Sequence, residues 1–125
     1  MGSTLSTLGA LIIVTLLCYD MARRTAAGSF TRNHVYGLRV ASTLASDEAW
    51  DTGHRAALPY LRALSWGGLA MSVVTGGLIL GYVIAGHELP EVAVAVPLVS
   101  LCVQLIVMTF ATVAANRAAK SVRAK

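Results

Sequence analysis

From Leu64 to Ala85 the chain runs for 22 residues, and from Val92 to Ala115 for 24, without one Asp, Glu, Lys or Arg. Helices of those lengths are about 33 and 36 Å long, enough to cross roughly 30 Å of hydrocarbon. A third uncharged run, Met1 to Tyr19, is shorter and is closed by Asp20, Arg23 and Arg24. It lacks the leading basic residues and the small-residue cleavage site of a signal peptide, so it is expected to be a span as well. Composition agrees: 56% of residues are apolar and 13% charged, against about 25% charged in soluble domains. The expected fold is an all-α membrane domain over residues 1–125 with spans at about 1–19, 64–85 and 92–115.

The basic residues set the expected orientation, because Lys and Arg flanking spans are retained in the cytoplasm. Arg23, Arg24, Arg32, Arg39, Arg55 and Arg62 lie between spans one and two; Arg117, Lys120, Arg123 and Lys125 follow span three. The connection between spans two and three, "GHELPE", has no Lys or Arg. Three crossings therefore put all ten basic residues on one side, with the N-terminus outside and the C-terminus in the cytoplasm. The net charge of +4 then follows from topology and from attraction to anionic lipid heads, with no need for nucleic acid.

The connection from Asp20 to Ala63 is too long for a simple turn. Residues 20–45 are expected to form an ordered loop with one helical turn. At Ser46 a hydroxyl residue followed by Asp47 and Glu48 marks a helix start. Beyond it Trp50, His54, Ala57 or Leu58, and Leu61 share one face, while Asp51 and Arg55 make an i to i+4 pair on the other. This pattern predicts an amphipathic helix lying in the cytoplasmic interface, with Trp50 as an anchor and a bend at Pro59 leading into span two. Tyr60 and Trp66 are expected at headgroup depth.

Span two carries small residues at four-residue spacing: Gly68, Ser72 and Gly76 in one stripe, Gly77, Gly81 and Ala85 in the next. Such stripes let helices approach closely in lipid, which predicts span two at the centre of the bundle. Ser100, Gln104, Thr109 and Thr112 offer polar contacts from span three, and Pro97 a kink near its outer end.

No Asp, Glu, Lys or Arg lies inside any span, which argues against a proton- or ion-coupled transporter. Cys18 and Cys102 fall at different depths and have no neighbouring base, so neither a disulfide nor a nucleophile is expected. His34, His54 and His87 are divided between the two sides and form no metal-binding pattern. No metal, cofactor or catalytic set is expected, and the protein is read as acting by binding.

The segment "NHVYGLRVASTLASDEAW" has its own physical logic. Gly37 supplies a positive-φ turn, and Arg39 presents a planar fork to a phosphate, carboxylate or carbonyl. Thr43 ends a turn, Ser46 caps the helix, and His54 sits one turn beyond Trp50. The plainer view is that the motif folds the connector onto the span ends. Asn33, Gly37, Arg39, Thr43, Ser46, Glu48 and Trp50, ahead of a glycine-rich span, resemble the SdpI family of bacterial membrane proteins over about residues 30–85. Val40 and Ala41 stand where that family commonly has Thr-Pro. The resemblance implies an immunity-type protein conferring resistance to a peptide toxin or to envelope stress. Membrane lipids, a peptide toxin or a larger membrane complex are the expected partners; an accessory subunit of such a complex is the alternative role.

Overall fold

The computed structural model describes residues 1–33 and 35–123; His34 and Lys125, both counted above, lie outside the described residues. The described residues form three helices, α1 at Gly2–Ala27, α2 at Asp47–Ile84 and α3 at Ala95–Arg123, with short 3₁₀ turns at Thr43–Ala45 and Glu91–Val94. No strand occurs among the described residues. All three helices are long and apolar enough to cross a membrane. α2 packs against both α1 and α3, which touch each other far less.

The outward faces are apolar. Ile13 and Leu16 on α1, Val73 and Leu80 on α2, and Val99, Leu105 and Ile106 on α3 are all exposed. In water that surface would drive aggregation; in a bilayer it is the lipid-facing surface. The chain is a multi-pass membrane protein.

All three helices run further than their apolar segments, α3 continuing past Ala115 to Arg123. α1 passes through Asp20, Arg23 and Arg24 to Ala27, where expectation had placed loop. Gly28, at φ 73, then stops it: its amide reaches the Thr25 carbonyl and the Ser29 amide reaches that of Arg24. This pair of bonds is the Schellman stop that a left-handed glycine permits.

The expected interfacial helix is the larger correction. Its start is as read, with the Ser46 hydroxyl accepting the Ala49 amide at 3.0 Å, and Asp51 pairs with Arg55 at 2.8 Å. It does not end at Pro59, however: α2 continues unbroken for 38 residues to Ile84. Pro59 forfeits one ladder bond, but Trp50, His54 and Ala57 before it, and Leu61, Leu64 and Gly68 after it, lie on one buried face. Packing on both sides of the proline holds the axis where propensity alone would break it. The same stripe is buried against protein rather than laid on lipid, and Trp50 is 1% exposed.

A helix of 38 residues is about 57 Å long, nearly twice the hydrocarbon thickness. Every charged residue of α2 lies at or before Arg62, so its first four turns project beyond the bilayer as a continuation of span two. The connector folds onto this projection.

Within the membrane, Gly68 marks the crossing of all three helices. A Cβ there would lie 2.0 Å from Thr15 Oγ1 and 2.5 Å from Gln104 Nε2. Gln104 donates to Thr15 Oγ1 at 3.0 Å, joining α3 to α1 across the glycine. Ser100, Thr109 and Thr112 instead bond carbonyls of their own helix, and Ser72 bonds the Gly68 carbonyl. At Gly76, Gly77 and Gly81 an added Cβ would meet open space.

Candidate functional site

The connector is fixed by an aromatic cluster seated on the projecting part of α2. Phe30 packs on Tyr36 at 5.4 Å, on Trp50 at 5.3 Å and edge-on to His54 at 4.9 Å, and Trp50 lies 4.2 Å from His54. Trp50 Nε1–H donates to the Phe30 carbonyl at 2.9 Å, so the indole both fills the cluster and satisfies a backbone acceptor. Gly37 passes directly over this ring with φ 128; a Cβ there would meet Trp50 at 2.7 Å and Phe30 at 3.1 Å. Both the torsion and the contact demand glycine. Gly37→Ala is expected to cost about 2–3 kcal/mol of stability through backbone strain and overpacking, read as a lower melting temperature in detergent. A variant as stable as the parent would remove the close approach from the account.

His54 is 1% exposed and uses both ring nitrogens on backbone. The Leu38 amide donates to Nε2 at 3.0 Å, and Nδ1 lies 2.8 Å from the Trp50 carbonyl. Since an amide can only donate, Nε2 carries the lone pair and Nδ1 the proton. Burial pushes the imidazole below its ordinary value, partly offset by the Trp50 carbonyl and Asp51.

Thr43, fully buried, closes the next turn: its hydroxyl donates to the Leu38 carbonyl at 2.7 Å and accepts the Val40 amide at 3.1 Å. Asn33 makes an Asx turn, its side-chain oxygen accepting the Val35 and Tyr36 amides at 2.8 and 2.9 Å. The connector also reaches the other two helices. The Tyr36 hydroxyl donates to Asp20 on α1, and the Ser42 hydroxyl to Asn116 on α3. The Tyr36 hydroxyl, with Arg23 and Arg24 beside it, holds the Asp20 carboxyl below its usual range against a smaller cost of burial. Burial and the Asp20 carboxylate raise the Tyr36 phenol. One segment is thus clamped to all three helices where they leave the membrane.

Arg39 stands apart from these clamps. It is exposed and has no ion-pair partner among the described residues. With Arg32, Asn33, Leu44 and Asp47 it lines a cleft of about 390 Å³. Arg32 is already engaged there, with Asp47 at 3.2 Å and the Leu44 carbonyl at 2.9 Å. The unengaged cation of the cleft is Arg39.

Of the residues singled out from sequence, Gly37 and Thr43 of the connector come together with Trp50 and His54 of α2. Asn33 shapes its first turn, Ser46 caps the helix below it, and Arg39 faces outward. Asp20, Phe30, Tyr36, Leu38, Ser42 and Asn116 complete the arrangement and were not legible in sequence. An irregular loop has no period to reveal which of its side chains turn inward.

No curated protein and no solved structure matches the chain. A family model does: it covers residues 29–115, from the start of the connector through α2 and most of α3, and so extends beyond the motif that suggested it. By that match the chain belongs to the SdpI/YfhL protein family.

Proposed function

We propose that this protein is an immunity-type factor of the bacterial inner membrane, conferring resistance to a membrane-active peptide toxin or to envelope stress by binding rather than by chemistry. The observation that carries this reading is the connector itself. It is a platform clamped to three helices, and it presents the unengaged Arg39 at the mouth of a polar cleft. A planar guanidinium so placed suits a carboxylate or phosphate on a peptide or lipid partner. Its charge bias orients the platform toward the cytoplasm, with the N-terminus outside.

Arg39→Ala tests the reading. A charge-assisted hydrogen bond of about 1.5–3 kcal/mol predicts binding weakened by about tenfold or more. Cells relying on the variant should therefore lose tolerance to the peptide toxin while membrane levels of the protein stay unchanged. Tolerance of the variant equal to the parent's, or parental cells no more tolerant than cells lacking the gene, would end the immunity reading.

A second role, as an accessory subunit of a larger membrane complex, draws on the open faces of Gly76, Gly77 and Gly81. Small residues facing lipid leave room for another helix. Purification in mild detergent distinguishes the two: a stoichiometric partner that dissociates on Gly77→Leu favours the accessory role.

A further inference from the structure

The His54 site admits one protonation state of the ring. Nε2 must offer a lone pair to the Leu38 amide, and Nδ1 must carry the proton that faces the Trp50 carbonyl. A proton added at Nε2 would set one N–H against another and break the bond holding Leu38. It would also place a cation in a site with 1% exposure, where an unpaired charge is costly.

The surroundings do little to compensate. The connector contributes Phe30, Tyr36 and Leu38 to this cluster, α1 contributes Cys18, Met21 and Ala22, and α3 contributes Ala111 and Ala115. Among the described residues the charged group bearing on the ring is Asp51, on the same helix and already paired with Arg55 at 2.8 Å. Asp20, across the cluster, is taken up by Tyr36, Arg23 and Arg24.

We propose that His54 is a pH-sensitive latch: with a neutral ring the connector from Phe30 to Ser42 stays docked on α2, and protonation of the ring releases it. Release lifts Gly37 off the indole and displaces the cleft that Arg39 lines. Of the other two clamps, Tyr36–Asp20 keeps its docked protonation state through mild acidification, with Asp20 held ionised and Tyr36 protonated, and Ser42–Asn116 has no titrating group. The direction follows from linkage. A free histidine ring titrates near 6.5 and the docked one lower, so the undocked form binds more protons. Docking is therefore at full strength above about pH 6.5 and weakens by up to about tenfold per pH unit as the pH falls from there toward the docked ring's value. The latch concerns the connector's conformation and holds whether or not the immunity reading does.

The test uses the full chain in lipid nanodiscs with Trp66→Phe, which leaves Trp50 as the one indole of the two present. Between pH 8 and pH 5, the Trp50 emission is expected to shift reversibly to the red and become accessible to acrylamide. His54→Gln keeps an amide oxygen for Leu38 and cannot titrate, so its profile should be flat. The same transition in His54→Gln, or a Trp50 that stays buried at pH 5 in the otherwise native chain, would overturn the latch. Should His54→Gln not fold, ¹⁵N-histidine spectra of the chain with His34→Gln and His87→Gln decide. Ring protonation and Trp50 exposure must share one midpoint; a ring that charges while Trp50 remains buried, or remains neutral while Trp50 becomes exposed, refutes the proposal.

Discussion

Trp50→Ala should be the most damaging single truncation outside the membrane. The indole is 1% exposed, touches Phe30 and His54, and donates to the Phe30 carbonyl at 2.9 Å. Its removal leaves a cavity beneath Gly37 and a buried carbonyl without a donor, together worth about 3–5 kcal/mol, or on the order of 10 °C in melting temperature. Trp50→Phe keeps most of the volume and loses the N–H, so it should cost about 1–3 kcal/mol. Trp66, by contrast, is 70% exposed, and Trp66→Ala should be close to silent in the same detergent melt. Equal effects at positions 50 and 66 would mean that the aromatic cluster does not hold the connector.

Gly68→Val should be the most damaging change within the membrane. Even one added carbon lies 2.0 Å from Thr15 Oγ1 and 3.0 Å from Thr15 Cβ. Thr15 cannot swing aside freely, because it is branched at Cβ and its hydroxyl is bonded to the Leu11 carbonyl at 2.7 Å, which restricts its rotamer. The helices must separate, breaking the Gln104–Thr15 bond and leaving a second polar atom of Gln104 unpaired beside Oε1, which already has no partner. Overpacking and the orphaned amide together predict a loss of about 2–6 kcal/mol. Gly76→Val, Gly77→Val and Gly81→Val meet open space and should leave the stability of the isolated chain nearly unchanged. A Gly68→Val protein that melts with those three would show that the crossing is not where the helices are held together.

The contrast between these glycines shows what the sequence can and cannot convey. Spacing marked Gly68, Ser72, Gly76, Gly77 and Gly81 alike, since small residues every four positions form a stripe wherever the partner helix is. Which of them meets a neighbour depends on the crossing point, and that is set by Thr15 and Gln104, 89 positions apart. The three spans were legible because lack of charge over 20 residues is a local property with one physical outcome. The Ser46 cap and the Asp51–Arg55 pair were legible for the same reason.

The ends of the helices were less so, because charge marks where the hydrocarbon stops rather than where the backbone stops coiling. Asp20, Arg23 and Arg24 close the first apolar run, yet α1 carries them for another two turns. At Pro59 the local rule was outweighed by burial of Ala57 and Leu61 on either side. The spacing of Trp50, His54, Ala57 and Leu61 identifies a helical face, but that face is buried against protein and does not face lipid. Periodicity says that a face is apolar and not what covers it; here the cover is the connector, α1 and α3. The connector's own motif was visible as separated residues, but its clamps to Asp20 and Asn116 join positions 16 and 74 apart.

The placement of that connector relative to the bilayer is tested most directly by labelling single cysteines with a membrane-impermeant maleimide in intact bacterial cells. In a background with Cys18→Ala and Cys102→Ala, one cysteine is placed at exposed Val35 in the connector and another at exposed Glu88 between α2 and α3. The account predicts that Glu88→Cys reacts in intact cells and Val35→Cys reacts after the membrane is permeabilised. Labelling of Val35→Cys in intact cells, or of both positions alike, would contradict it.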